Sequence, residues 1–452
     1  MCAVTTWQPP SSALGAGNLV HGPAATSRAV VDLGAVAHNA AVLARAAGTP
    51  WMAVVKADAY GHGLGPVATT CLDAGATWLG VAQLAEALHL RRLLDEAGVA
   101  RPQPGPDAVP TSRAPRLLTW ILPVVTAQEA ARPGSSVRAA LDADLDLSVA
   151  TVDQARAVAV GARAQGVRAR VHLKIDTGMS RGGAVAEDLA EVARVLREEE
   201  QASGLVVVGL WSHLSRADEP ASGSTQEHLA RFRAGEEVVR QAGLRPRLRH
   251  LAATGGLLWH PQARLDLVRA GIGLYGLSPD PSLVSGQELG LRPAMRLEAP
   301  LTLVKRIAAG QAVSYGGTWT APTDRWVGVV PLGYSDGVPR AASSCGPVSV
   351  GRYRTTVVGR VCMDQVVVDL GPAAGPDGVA VPAPAAAGDV AVLWGAPSPG
   401  PDGPPVPTAD EWARACDTIN YEIVTRLGPR VPRYYLPAGG ATGYAQPTGS
   451  EE

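Results

Sequence analysis

Lysine is nearly absent from this chain. Its 452 residues hold three, Lys56, Lys174 and Lys305, and arginine supplies the other 37 of the 40 basic side chains. A chain charged by arginine has little use for lysine as generic surface charge, so the survival of Lys56 calls for a reason. Cysteine is also sparse: Cys2, Cys71, Cys345, Cys362 and Cys416 are odd in number and lack CxxC spacing. That favours a reducing, cytoplasmic setting over a disulfide framework and disfavours a metal site such as zinc. No apolar run reaches the 18 residues of a membrane span, and the N-terminus lacks the charged-then-apolar order of a leader, so no membrane partner is expected. The formal charge of −1, without a basic block, excludes a nucleic-acid footprint.

Between about residues 33 and 280, apolar strands alternate with amphipathic helices. The helix "DLGAVAHNAAVLARAA" precedes the strand "WMAVV", and "TWLGVA" precedes the helix "QLAEALHLRRLLDEAG". Further strands are predicted at "RLLTWIL", "LDLSVA", "RVHLKI", "LVVVGLWSH" and "RLRHLA". Repeated βα units with apolar strands imply a parallel sheet covered by helices. About eight of them in roughly 250 residues fit a (β/α)8 barrel, with a doubly wound open sheet as the alternative. After residue 290 short β-rich runs bounded by Gly and Pro predict a mainly β domain, followed by one helix-like stretch, "TADEWARACDTINYEIVTRLG". The expected organisation is a tail over 1–27, an α/β-barrel domain over 28–290, a C-terminal β domain over 291–440 and a tail over 441–452. The Pro/Gly/Ala-rich stretches at 101–116 and 371–388 read as surface insertions.

The charged candidates sit at predicted strand ends: Lys56 after "WMAVV", Lys174 and Arg181 after "RVHL", His213 after "LVVVGLWS". In a barrel these positions converge on one mouth. A strand-end lysine can merely snorkel to solvent, but arginine would do that equally well. What arginine cannot do is shed its proton and form a Schiff base. Lys56 therefore reads as an amine kept for covalent chemistry.

The segment around it, "AVVKADAYGHG", resembles the cofactor-lysine motif of alanine racemases, fold-type III enzymes dependent on pyridoxal 5'-phosphate. "KIDTGMSRGG", "WSHLSRADE", "RAGIGLYG", "AVSYGG", "VPLGYSDG", "VGRVCMDQ" and "TINYEI" follow in the family's order, and the resemblance spans residues 28–436. It implies that Lys56 holds the cofactor and is one catalytic base, and that Tyr315 is the second base, on the opposite face. A phenol, ordinarily near pKa 10, needs cationic help for that role. Racemisation requires such a pair, because one base removes the α-proton and the other returns it.

By the same resemblance Tyr60, Thr254, Gly271, Ile272 and Tyr421 bind the cofactor phosphate. His213 packs on the ring, Arg269 faces its nitrogen and His250 contacts Arg269. An arginine at that nitrogen cannot accept its proton, which favours prompt return of the proton to Cα. Arg181 and Met363 are implied substrate contacts, and Lys174 a possible carbamylated lysine that would hold Arg181. Tyr315 and Met363 are implied to reach the neighbouring subunit's site, which makes a homodimer with shared sites the expected assembly, acting on a small amino acid.

Two positions depart from the pattern. Ala253 stands where the family commonly has Asn, and Ser180 where glycine usually precedes the arginine. The expected activity is interconversion of L- and D-alanine, supplying D-alanine for peptidoglycan; the alternative is a racemase of another or several small amino acids such as serine. A PLP decarboxylase is disfavoured by Arg269 and Tyr315, and a single-domain PLP-binding regulator by the length of the chain. Lys305 has no role from sequence.

Overall fold

The computed structural model describes residues 26–103, 108–397 and 405–438. The two expected tails lie almost wholly outside these residues. The chain divides into two compact units, Val36–Pro293 and the described residues of Met1–Ala35 with Ala294–Glu452.

The first strand, β1 (Arg28–Asp32), belongs to the second unit, and the next eight build the first. These are β2 (Trp51–Val54), β3 (Trp78–Gln83), β4 (Arg116–Ile121), β5 (Asp146–Val149), β6 (Ala169–Lys174), β7 (Leu205–Trp211), β8 (Leu248–His250) and β9 (Val268–Ala270). They form one parallel sheet in the order β8-β7-β6-β5-β4-β3-β2-β9. Two backbone bonds, Asp266 N–H to Arg249 O (3.0 Å) and Arg269 N–H to Ala252 O (3.0 Å), link the ends of that order. The result is a near-closed (β/α)8 barrel, not the open sheet. β9 is three residues long, too short to show periodicity, and only its motif marked it in the sequence.

The barrel interior is packed, with Met52, Trp78, Leu118 and Leu267 forming one apolar cluster. Burying such side chains stabilises the fold by roughly 1.5–3 kcal/mol each. Higher in the barrel the interior turns polar. His172 is fully buried opposite Gly209, where a Cβ would lie 2.1 Å from the imidazole Nδ1. Glycine in β7 therefore makes the room that this ring needs.

In the second unit β1 pairs antiparallel with Met295–Pro300 and parallel with Arg433–Leu436, inside a six-stranded sheet. Residues 28–32, expected to open the barrel domain, thus join the C-terminal unit; a five-residue apolar strand carries no signal of which sheet it completes. A three-stranded antiparallel sheet packs Leu303–Ile307, Arg325–Val330 and Val366–Pro372. Lys305 lies exposed on the first of these. The predicted single C-terminal helix is two, Ala409–Ala415 and Asn420–Thr425. Asp417, at φ 51°, breaks it, and the Asn420 amide donates to Asp410 (2.7 Å) across the break. No helix of the described residues is long and apolar enough to cross a membrane.

Candidate active site

Lys56 lies two residues past the end of β2, and the chain there does something rare. Ala57, Asp58, Ala59 and Tyr60 all lie at φ between 52° and 56°, a left-handed turn without a glycine. Each such residue costs roughly 1–2 kcal/mol, so the turn must be held from outside. The Glu86 carboxylate accepts from Asp58 N–H (2.9 Å), Asp58 Oδ1 accepts from Leu64 N–H (2.8 Å), and Gly63 N–H reaches Asp58 O (2.9 Å). The Tyr275 hydroxyl donates to Val54 O (3.0 Å) just before the lysine, and its ring stacks on Tyr60 at 4.6 Å. Sequence reasoning missed Asp58 and Tyr275, whose signal was only their place inside the motifs, and Glu86, which lies outside all of them on the helix after β3.

The turn sets the Lys56 amine among cations. Burial, then Arg181 and Arg269, lower its pKa from the ordinary lysine value, opposed by Glu86. Lys174, at the end of β6, lies 4.6 Å from the Trp211 ring; burial, with Arg181 and Arg269 beside it, pulls its pKa down to about 8. Arg181 itself is exposed. Asp176 shapes the loop before it, accepting from the N–H groups of Gly178 (2.9 Å), Met179 (3.1 Å) and Ser180 (3.1 Å). Ser180 sits at φ 56°, which explains why glycine is the easier residue there.

Arg269, in β9, is buried, and desolvation alone pulls its pKa to about 9. Its Nη2 donates to Ser212 O (2.9 Å), Leu251 O (3.0 Å) and His213 Nδ1 (3.1 Å). Its Nη1 donates to His250 O (2.9 Å) and His250 Nδ1 (3.2 Å). Because guanidinium only donates, both imidazoles must present a lone pair to it. Burial, followed by the charge of Arg269, drives both histidines well below the usual imidazole pKa, so they are neutral.

Beside this cluster is a hydroxyl-lined hollow. Thr254 Oγ1 accepts from Gly271 N–H (2.9 Å), and a Cβ on Gly271 would lie 2.8 Å from the Tyr60 hydroxyl and 3.8 Å from Thr254 Oγ1. Ile272 opens the short 3-10 turn that follows. Ala253, at the N-cap of the helix Thr254–Trp259, has no side-chain acceptor to offer.

Lys56, Tyr60, Lys174, Arg181, His213, His250, Thr254, Arg269, Gly271 and Ile272 thus all belong to the C-terminal ends of the barrel strands or the loops after them. Tyr315, Met363 and Tyr421 belong to the other unit. Tyr315 is 72% exposed and Met363 52% exposed, and with Ser314, Cys362, Asp364 and Gln365 they line an open cavity of about 360 Å³. The Ser314 hydroxyl donates to Arg360 O (2.7 Å) and meets Cys362 Sγ at 3.1 Å, tying the Tyr315 turn to the Met363 loop. Tyr334 N–H to Cys362 O (3.0 Å) and Ser335 N–H to Met363 O (3.0 Å) secure that loop from the other side. Tyr421 lies on the helix Asn420–Thr425, partly buried.

A barrel with this mouth, followed by a mainly β unit, places the chain among the amino-acid racemases. Residues 31–279 match the family model for the alanine racemase N-terminal domain, and residues 294–435 that for the alanine racemase C-terminal domain. The chain belongs to the alanine racemase family. It is 50% identical to the alanine racemase of Beutenbergia cavernae over 411 residues, covering 91% of this chain and 98% of that one. It is 45% identical to that of Salinispora arenicola over 406 residues, 90% of this chain and 97% of the other. Among solved structures, the alanine racemase from D-cycloserine-producing Streptomyces lavendulae superposes with a TM-score of 0.80 at 39% identity, over 92% of this chain and 98% of that one. The Streptomyces coelicolor enzyme gives 0.79 at 44% identity, over 91% and 98%.

Proposed function

We propose that the chain racemises alanine with pyridoxal 5'-phosphate, using Lys56 and Tyr315 as bases on opposite faces of the substrate. The carrying observation is the pairing of the Lys56 amine with the hollow formed by Tyr60, Thr254 and Gly271. A Cβ at Gly271 would fill that hollow, and its hydroxyl and amide surroundings suit an anion such as a phosphate. The donor set therefore fits the cofactor. Lys56 would hold it covalently; Tyr60, Thr254, Gly271 and Ile272, with Tyr421, would bind its phosphate; His213 would lie against its ring and Arg269 would face its nitrogen. When bound, the cofactor supplies an electron-withdrawing system that acidifies the substrate Cα–H.

The remaining work falls to the chain. A lowered Lys56 pKa keeps part of the amine unprotonated, able to hold the cofactor and then to accept or return the α-proton on its face. Arg269 can only donate, so it does not take over the proton of a ring nitrogen, and protonation at Cα is favoured over diversion into the ring. Arg181, with the backbone at Met363, would orient the substrate carboxylate. Lys174, at about 8, holds enough neutral amine to react with CO2, and its carbamate would give Arg181 a fixed counter-charge.

The exposure of Tyr315 and Met363 favours a homodimer in which each cavity of the C-terminal unit completes a second copy's barrel mouth. Tyr315 of the partner subunit would then supply the opposing base. Four free thiols among the described residues, Cys71, Cys345, Cys362 and Cys416, fit a reducing cytoplasm, where D-alanine for peptidoglycan would be made. The test is racemisation of a panel of L-amino acids by purified protein, with bound cofactor measured. Alanine should dominate; a serine rate equal to the alanine rate would move the assignment to a broader racemase. In Lys56→Ala the absorbance of lysine-linked cofactor should vanish while the protein stays folded.

A further inference from the structure

Arg269 is the last member of a longer buried chain. His250 Nε2 lies 2.9 Å from His172 Nδ1, and His172 Nε2 lies 3.2 Å from Asp146 Oδ2. Asp146 Oδ1 accepts from Arg170 Nε at 2.6 Å, and Arg170 also pairs with Asp144 at 2.8 Å. Asp146, His172 and His250 are each 0% exposed. Trp78 meets the His172 ring edge-on at 5.4 Å, and Trp211 stacks on His250 at 5.4 Å and 7°. The chain climbs the barrel interior from the first residue of β5 to the mouth, and Gly209 leaves room that the His172 ring takes up.

The direction of its protons is set at the top. Arg269 can only donate, so His250 Nδ1 accepts and the His250 proton sits on Nε2. That proton points to His172 Nδ1, which places the His172 proton on Nε2, aimed at the Asp146 carboxylate. Every N–H thus points from Arg269 toward Asp146, and the one carboxylate at the far end suits that polarity.

Building on the cofactor reading above, we propose that Asp146 and His172 are positioning residues for racemisation, locking the His250 tautomer and so the orientation and charge of Arg269 at the cofactor. With Asp146 replaced by Asn, an amide N–H can face His172 Nε2. Both imidazoles can then carry their proton on Nδ1, setting His250 N–H against Arg269 N–H. The guanidinium would have to turn from its place.

The test uses full-length protein labelled with 15N-histidine. In wild-type protein without cofactor, long-range proton–nitrogen spectra should show His172 and His250 both as Nε2–H tautomers. Asp146→Asn should move both to Nδ1–H, and in cofactor-loaded enzyme kcat should fall about 10-fold or more with KM little changed, as for other supporting-shell losses. If Asp146→Asn does not fold, a pair at His172 decides. His172→Leu should lose activity similarly, whereas His172→Gln, whose amide accepts at one end and donates at the other, should recover most of it. Equal losses in the Leu and Gln variants, or unchanged kcat after the tautomers have flipped, would overturn the proposal, as would Nδ1–H tautomers in the wild type. Wild-type protein that binds no pyridoxal phosphate would instead overturn the cofactor reading, and the tautomer spectra would still decide the direction of the chain.

Discussion

Gly271→Ala tests whether the hollow beside Lys56 is an anion cradle. The new Cβ would lie 2.8 Å from the Tyr60 hydroxyl, about 0.6 Å inside ordinary contact. Tyr60 cannot easily yield, since its buried ring is stacked on Tyr275, and the Tyr275 hydroxyl is tied to Val54 O. The hydroxyl should therefore lose its hydrogen bond to the phosphate. A hydrogen bond to a charged group is worth about 1.5–3 kcal/mol, so cofactor affinity should fall about 10- to 150-fold. Titration of cofactor-free protein with pyridoxal phosphate, followed by absorbance, measures it. Tyr60→Phe should lose a similar amount, and in that background Gly271→Ala should add little, because the oxygen it strikes is gone. Two losses that simply add, or an affinity unchanged by Gly271→Ala, would refute the cradle.

Lys56→Ala and Tyr315→Phe homodimers should each be nearly inactive. Mixed under conditions of demonstrated subunit exchange, they should recover about a quarter of wild-type activity, since about half the dimers are mixed and each has one intact site; no recovery would sink the shared site. Ser180→Gly should raise stability by about 0.5 kcal/mol, the relief of a left-handed serine less the added freedom of the unfolded chain, read by denaturant titration. Carbamate on Lys174 requires the neutral amine, so at fixed CO2 pressure its 13C signal should grow as pH rises through about 8; a Lys174→Arg variant should show none.

The barrel was legible because most of its strands are apolar runs bounded by turns and helices, although β8, Leu248–His250, is short and carries an arginine and a histidine. The last, Val268–Ala270, is three residues long and spoke only through its motif. β1 was misassigned because pairing partners far along the chain leave no local trace: its neighbours are Met295 and Tyr435 in one register. The charged groups at the mouth announced themselves by rarity and by position at strand ends. Asp146 and His172 did not, because inward-facing polar residues within apolar strands look like breaks in a pattern until the strands are closed around them. Asp176 was likewise invisible as a capping group, since its three amide partners are defined by the fold of the loop alone.

The left-handed turn after Lys56 has a mechanical consequence. Four residues held in a hand opposite to their preference cost about 4–8 kcal/mol, which the backbone bonds of Glu86 and Asp58 help to offset. Unwinding would swing the chain on both sides of the turn, and Lys56 and Tyr60 stand at its two ends. The amine and the phenol therefore share one support: loss of the Glu86 carboxylate, far from either group in sequence, should displace both together.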